Sequence, residues 1–479
     1  MKLLISVLAL SVYVYASTQS SRGAQPNILW VVAEDMSADL GCYGHPLVKS
    51  PTLDKLAIEG MRFDQVHVTA PACSPSRTAL ATGVFQTTLG AHHMRYPAQL
   101  KPQLETPYLT LPTLLKKKGY TTANLKALGG TGKDDWQFKC SDKEWDTSTL
   151  AKAVAHQPFF AQIQLSRTHR PFSPYEANAI EESKVKLPPY YPDHVVARKD
   201  WAQYLSDISV VDNQMKKILS VLKQQKLDEN TIVIFFADHG RPMLRGKNWL
   251  YDSGIHIPLI IYIPERIIKP GRYKAGSSNK QLISSIDIVA QTVHLAGGDI
   301  PEWMQGRPFL DGKSVNRDAV FSAIDRVGGI ESCSRSVRTK RYKYIRNFKS
   351  PGSIASCSTA YRRSNHPTYH LLYALDKLSR LTEPQKQLLK PLVDEELYDL
   401  KRDPYEINNL IGDTEFKDVH SQLRKRLIDW QKITKDKGLL EDGELLKEHF
   451  IKYGESTDKE RLGGIEKLKR SVNMAVINK

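Results

Sequence analysis

From Asn27 the chain runs Ile28-Leu29-Trp30-Val31-Val32-Ala33, an unbroken apolar stretch that stops at Glu34-Asp35. Comparable runs recur at residues 158–165, 231–237 and 258–263. Continuous rather than alternating apolar character predicts strands buried on both faces, as in a mostly parallel sheet. Between the runs, apolar residues recur every three or four positions at 54–60, 111–118 and 201–225, the last broken by Asp228-Glu229-Asn230, and these predict helices. Strands alternating with helices imply an α/β fold, a large mostly parallel sheet sandwiched by helices. Sites in such sheets form outside the carboxyl ends of the strands, where Glu34-Asp35 and Asp238-His239 stand.

After about Asp325 the pattern changes. Basic and aromatic residues alternate from Arg335 to Ile345, which predicts antiparallel strands in a smaller α+β subdomain. The expected organisation is a signal peptide over 1–16, an N-terminal domain over 17–330 and a C-terminal subdomain over 331–479. Beyond Asp418 the chain reads as helical and strongly charged, with its last twenty residues expected to be loosely held.

At the other end, Met1-Lys2, the apolar run from Leu3 to Tyr15 and the pattern Val14-Tyr15-Ala16 predict a secretory signal peptide cleaved near Ala16, hence a periplasmic or secreted protein. The run is too short to span a bilayer and no later segment approaches the ~20 apolar residues required, so stable membrane insertion is not expected. Sixty-eight Lys+Arg against 52 Asp+Glu give a formal charge of +16 and favour a polyanionic partner. Nucleic acid is set aside because no basic aromatic motif or helix-turn-helix signal is present; a polyanionic glycan fits an exported protein. Five cysteines are too few for a disulfide scaffold, although Cys333 and Cys357 flank one stretch and could pair.

One cysteine stands apart. In Ala72-Cys73-Ser74-Pro75-Ser76-Arg77-Thr78-Ala79-Leu80-Ala81-Thr82-Gly83, the spacing Cys-x-Pro-x-Arg followed by Leu-x-Thr-Gly resembles the signature of type I sulfatases in the alkaline phosphatase superfamily. The alternative for an isolated cysteine is a buried structural thiol at a helix start. The segment Glu396-Leu397-Tyr398-Asp399-Leu400, with Asp403-Pro404-Tyr405-Glu406 and Asn409-Leu410, resembles the C-terminal subdomain of the same family.

The resemblance implies that a formylglycine-generating enzyme converts Cys73 to an aldehyde, whose hydrate attacks a sulfate ester. It implies one calcium ion held by Glu34, Asp35, Asp238, His239 and the residue formed at Cys73; Glu34 departs from the usual Asp, and His239, an unusual ligand for a hard cation, has contact with the sulfate as its alternative role. Arg77 would steady the aldehyde hydrate. Lys247, in Lys247-Asn248-Trp249-Leu250-Tyr251-Asp252-Ser253-Gly254, would bind sulfate, and His169, in Thr168-His169-Arg170-Pro171, would protonate the leaving group. The family's Gly-Lys-x-His is missing. Lys126 has nearly the right spacing, but Gly132-Lys133-Asp134-Asp135-Trp136 resembles a variant, favouring Lys133 as sulfate ligand with Asp135 where the histidine would stand. His239 is then a substitute base.

The implied substrate is a sulfated carbohydrate, an algal polysaccharide or a glycosaminoglycan, or their oligosaccharides. His92, His93, Arg95, Arg170, Arg241 and His256 are expected at the pocket rim, where cationic forks read neighbouring anions. Two other readings stay open: a phosphonate or phosphate ester hydrolase using the same aldehyde and metal, and a non-catalytic glycan-binding protein if Cys73 is unmodified.

Overall fold

The computed structural model describes residues 25–141, 143–173, 179–350 and 352–477, so the expected signal peptide lies outside the described residues. Eight strands build the larger sheet: β1 (Asn27–Ala33), β2 (Met61–His67), β3 (Thr121–Leu125), β4 (Phe159–Leu165), β5 (Thr231–Ala237), β6 (His256–Tyr262), β7 (Ser277–Asn279) and β8 (Ile283–Ser284). Their order is β3-β4-β1-β5-β6-β2-β7, with β8 also on β2. The pairs β3 with β4, β4 with β1 and β1 with β5 are parallel, whereas β6 is antiparallel to both neighbours. This restores β2 to the common direction.

The four apolar runs become β1, β4, β5 and β6. Every residue of the first three is buried, because helices cover both faces. In the core, Trp30 meets Phe160 and Phe236 edge-on with ring centroids 5.4 and 5.1 Å away. Such contacts add about 0.5–1.5 kcal/mol each beyond burial. The Trp30 indole N–H also donates to Thr292 Oγ1 at 3.0 Å, fastening the helix Ser285–Leu295 to the sheet. The expected helices appear as Pro51–Glu59, Leu111–Lys116 and Val195–Gln224. The last begins earlier than the apolar spacing indicated because the His194 side chain accepts the Val196 N–H and caps it.

A second sheet is antiparallel throughout, in the order β12-β11-β10-β9, with β9 at Val320–Ile324, β10 at Cys333–Arg338, β11 at Tyr342–Lys349 and β12 at Glu395–Asp399. Its first strand lies on the N-terminal side of the expected division at 330. The helix Lys417–Thr434 packs over it, with Trp430 stacked on Phe321 at 5.1 Å. Ala79 of the Cys73 helix shares this core with Val337 and Tyr344.

One expectation is corrected, and the state of one cysteine pair is answered. The chain's far end is not loosely held: Glu444–Ile477 is one helix packed on the helices Ala360–Asn365 and Pro367–Lys377, burying Phe450, Ile465, Val472 and Val476. Ile465, Val472 and Val476 fall at helical spacing, so a narrow apolar stripe runs along an otherwise charged helix. Cys333 and Cys357 are both free thiols. The Cys333 thiol points at the Gly438 carbonyl, 3.6 Å away, while Cys357 is held in its own turn by a 2.9 Å bond from its N–H to Ser353 O. Among the described residues no helix is long and apolar enough to cross a membrane.

Candidate active site

The register of the parallel strands pairs Ala33 with both Leu165 and Ala237, so β1, β4 and β5 end level. Glu34-Asp35, Thr168-His169 and Asp238-His239 therefore emerge along one edge of the sheet. The chain leaving β2 at the same edge passes through Ala72 into the helix Cys73–Thr82, all ten of whose residues are buried. Gly83 ends that helix at φ 73°, and a Cβ there would lie 2.9 Å from Met304 Cγ, so both backbone and space call for glycine. Because β6 runs back from this edge, the link between β5 and β6 that carries Lys247 stays over it. A 2.6 Å bond from the Asn248 N–H to Pro71 O ties that link to the approach to Cys73.

These elements converge on the Cys73 side chain. Its Sγ lies 3.1 Å from Lys247 Nζ, 3.2 Å from His239 Nε2 and 3.7 Å from Asp35 Oδ1. Lys247 Nζ also donates to both Asp35 oxygens at 2.9 Å. His239 donates from Nδ1 to Gly240 O at 2.9 Å, which turns Nε2 toward Asp35 Oδ1, 3.0 Å away. Arg77, one helical turn beyond Cys73, pairs with Asp238 at 2.8 Å and Glu34 at 3.1 Å and donates to Gln164. Asp238 Oδ1 accepts the backbone N–H groups of Asp35 and His239, each at 2.9 Å.

The electrostatics follow from burial opposed by close charges. Burial alone would raise the Asp35 carboxyl, yet Lys247, with His169 and His239, holds it well below the usual carboxylate range. Burial works against a thiolate at Cys73, but Lys247 and Lys133 outweigh it and bring the thiol down to about 5. For His239, burial disfavours the imidazolium while Asp238 and Asp35 push it up to about 10. Asp35 raises His169 against the opposing effect of burial. The pocket holds several charges that satisfy one another and can exchange partners for an incoming anion.

Asp35, Cys73, Asp238 and His239 each offer a donor atom within 4.8 Å of the others, a grouping able to hold a metal ion. Glu34, expected among the ligands, is not in that group: its Oε1 is taken by Arg77 and by Lys133 at 3.0 Å. Of the two competing lysines, Lys133 reaches the cluster and Lys126 is exposed. Asp135 stands at the margin, accepting from Ser74 at 2.9 Å and Arg95 at 3.2 Å.

A cavity of about 730 Å³ opens above, lined by Asp35, His169 and Lys247 and bounded partly by Arg95 and Arg170. Arg170 is locked by a bidentate pair with Asp200 at 2.7 and 2.6 Å. The other expected rim residues lie elsewhere. His92 and His93 are buried, and His93 pairs with Asp442 at 2.7 Å and meets the Phe450 ring edge-on. Arg241 and His256 line a separate cavity of about 290 Å³, held by Asp39 at 2.8 Å and the Asp64 carbonyl at 3.0 Å. These basic residues find partners from segments far away in sequence, a choice that their spacing does not encode.

Nothing in the sequence pattern marks the cavity's far wall. Tyr361, Arg362 and Arg363 from the helix Ala360–Asn365, His366 after it, and Tyr453 and Arg461 from the helix Glu444–Ile477 all line it. These residues carry no motif, and only tertiary packing brings them over the edge of a sheet formed far earlier in the chain.

The sulfatase family model matches residues 26–298. An ulvan-active sulfatase of Formosa agariphila is 32% identical over 485 residues, covering 90% of this chain and 78% of its own. Among solved structures, a 2-O GAG sulfatase superposes with a TM-score of 0.62 at 19% identity, covering 86% of this chain and 93% of that one. A phosphonate monoester hydrolase from Silicibacter pomeroyi does so with a TM-score of 0.62 at 17% identity, covering 87% and 97%. At such identities the two structures bear on the fold alone. The family match, the ulvan-active relative and a fold with its charged cluster at the carboxyl edge of the sheet together identify this chain as a member of the sulfatase family, sulfuric ester hydrolases of the alkaline phosphatase-like superfamily.

Proposed function

We propose that the protein is an exported enzyme that removes sulfate from a sulfated carbohydrate, a polysaccharide or its oligosaccharides of algal or glycosaminoglycan type, using formylglycine made from Cys73 and a divalent cation, calcium. The observation that carries this reading is the convergence of Lys247 Nζ, His239 Nε2 and Asp35 on the Cys73 side chain at 3.1, 3.2 and 3.7 Å. The sulfur occupies the place where an aldehyde-derived hydroxyl would stand.

The donor set fits a hard cation: two buried carboxylates, Asp35 and Asp238, lie beside position 73, and oxygen ligands suit calcium. When bound, the ion would polarise a sulfate oxygen as a Lewis acid. The protein's own residues carry the remaining work. One hydroxyl of the hydrated aldehyde, its proton released to water and its oxyanion favoured by Lys247 and Lys133, bonds to sulfur while the bond from sulfur to the sugar oxygen breaks; His169 gives its proton to that sugar oxygen, and the two lysines offset charge on the sulfate. A sulfate hemiacetal remains. Against the effect of burial, Asp238 and Asp35 hold His239 charged, and with those carboxylates offset by a bound cation its Nε2 is left free. With its Nδ1 committed to Gly240 O, the neutral ring then takes the proton of the second hydroxyl at Nε2, the carbon–oxygen bond to sulfate breaks and the aldehyde returns.

The decisive test is a screen of defined sulfated oligosaccharides for release of free sulfate, run beside phosphate and phosphonate esters at equal concentration. Release from saccharides supports the reading. Faster turnover of the phosphorus esters favours the second reading, which the likeness in fold to a phosphonate monoester hydrolase keeps in view. The mass of the peptide spanning position 73 separates both from a non-catalytic glycan-binding protein: the aldehyde has lost a sulfur and two hydrogens and gained an oxygen.

A further inference from the structure

Five arginines line the cavity, and three are held by carboxylates: Arg95 by Asp135 at 3.2 Å, Arg170 by Asp200 at 2.6 Å and Arg363 by Asp458 at 2.8 Å. Arg362 and Arg461 pair with no carboxylate among the described residues. Arg362 is the more telling. It is 4% exposed, its Nη2 donates to the Lys247 carbonyl, and its Nη1 is buried without a hydrogen-bond partner. Burial drags this guanidinium down to about 10, and the nearby Asp35 does not offset it.

A buried cation with an unmade hydrogen bond is costly, and a folded chain retains one where something else completes it. The position says what that is. The ammonium of Lys247 faces Asp35 and Cys73, whereas Arg362 grips the backbone of the same residue from the helix Ala360–Asn365 and lines the cavity. Arg461, from the adjoining helix Glu444–Ile477, lies 5.0 Å above the Tyr361 ring with its Nε also unpartnered. Two guanidinium groups without a carboxylate partner among the described residues thus line the cavity that Asp35 and Lys247 also line. Guanidinium forks match carboxylate and sulfate oxygens.

We propose that Arg362, flanked by Arg461, binds a second anionic group of the substrate, a carboxylate or a further sulfate, next to the sulfate that is removed. The inference rests on the sulfated-carbohydrate reading and narrows it to substrates carrying two negative groups in close succession. Arg362 lies beyond the stretch matched by the family model, 26–298.

The test measures kcat/KM by free sulfate on matched pairs: a monosulfated disaccharide with a uronic carboxylate against its methyl ester, and a disulfated disaccharide against a monosulfated one, with 4-nitrophenyl sulfate as control. The wild-type enzyme is expected to prefer the more charged member of at least one pair by about 10-fold or more, and the pair that shows it tells carboxylate from sulfate. In Arg362→Gln that preference should shrink to within about 2-fold, with Arg362→Lys intermediate. Displacing Lys247 alone would slow both members alike and leave their ratio intact, so the ratio distinguishes recognition from support. If Arg362→Gln fails to fold, Arg461→Gln and the wild-type ratios decide. Equal rates within both pairs for the wild type, or a preference that survives Arg362→Gln, overturns the proposal. No turnover of 4-nitrophenyl sulfate or of any saccharide by protein carrying the aldehyde would overturn the sulfatase reading itself, and the proposal with it.

Discussion

Cys73 touches Lys247, His239 and Asp35 yet fills little space, so Cys73→Ala removes the reacting atom without opening a large void. Sulfate release is expected to vanish while the circular dichroism and melting profile stay those of the parent; turnover near the parental rate in a single-turnover assay would sink the mechanism. Lys247→Ala takes away the ammonium that faces the attacked group, and kcat should fall by about 10²-fold or more in steady-state assays. Both residues were legible because their motifs are local: Cys73 and Arg77 share one turn of one helix, and Lys247 sits in a compact loop. Lys133 was legible only as one of two candidates, since the choice against Lys126 depends on how the stretch after β3 folds back onto Glu34. The true partners of Glu34, and the unpaired state of Arg362, depend on neighbours from distant segments and left no trace in spacing.

Among elements, the helix Glu444–Ile477 shows what pattern reading loses. Its apolar stripe is thin, and the continuous runs of β1, β4 and β5 were far easier to see. In β2 the apolar positions are interrupted by Arg62, Asp64 and Gln65, which are only half-buried, and β3 is five residues long; neither announced itself. The helix is anchored at its root by Asp442, which meets His93 at 2.7 Å and Arg326 at 3.2 Å. Burial would raise the Asp442 carboxyl, but those two partners bring it down to about 2 from an ordinary 3.8. A carboxyl lowered by folding stabilises the fold fully above its unfolded value and loses that effect as pH falls through the folded value. Asp442→Asn should therefore cost about 2 kcal/mol at neutral pH, with parent and variant drawing together between about pH 4 and pH 2 in denaturant melts.

Across the whole molecule, the formal charge of +16 acts at longer range than any single contact. Association with a polyanionic glycan should be steered by that field, so kcat/KM on a sulfated polysaccharide is expected to drop about 10-fold or more as salt rises from about 0.02 to 0.2 M. A small aryl sulfate should lose far less over the same range, and equal salt sensitivity for both would argue against steering. The α/β architecture was readable because buried parallel strands leave long apolar runs. How the second sheet and the last helix come to rest over the first sheet was not, because those contacts join residues hundreds of positions apart.

Cys73 is 0% exposed, and its whole helix is buried with it. On the proposed chemistry, this sets an order of events in time. A modifying enzyme must grip the residue while the segment after β2 is still extended, before the sheet closes around it and long before the helix Glu444–Ile477 is made and seated. Maturation then becomes a race between folding and conversion, and every molecule that folds first is left with a thiol that no later encounter can reach.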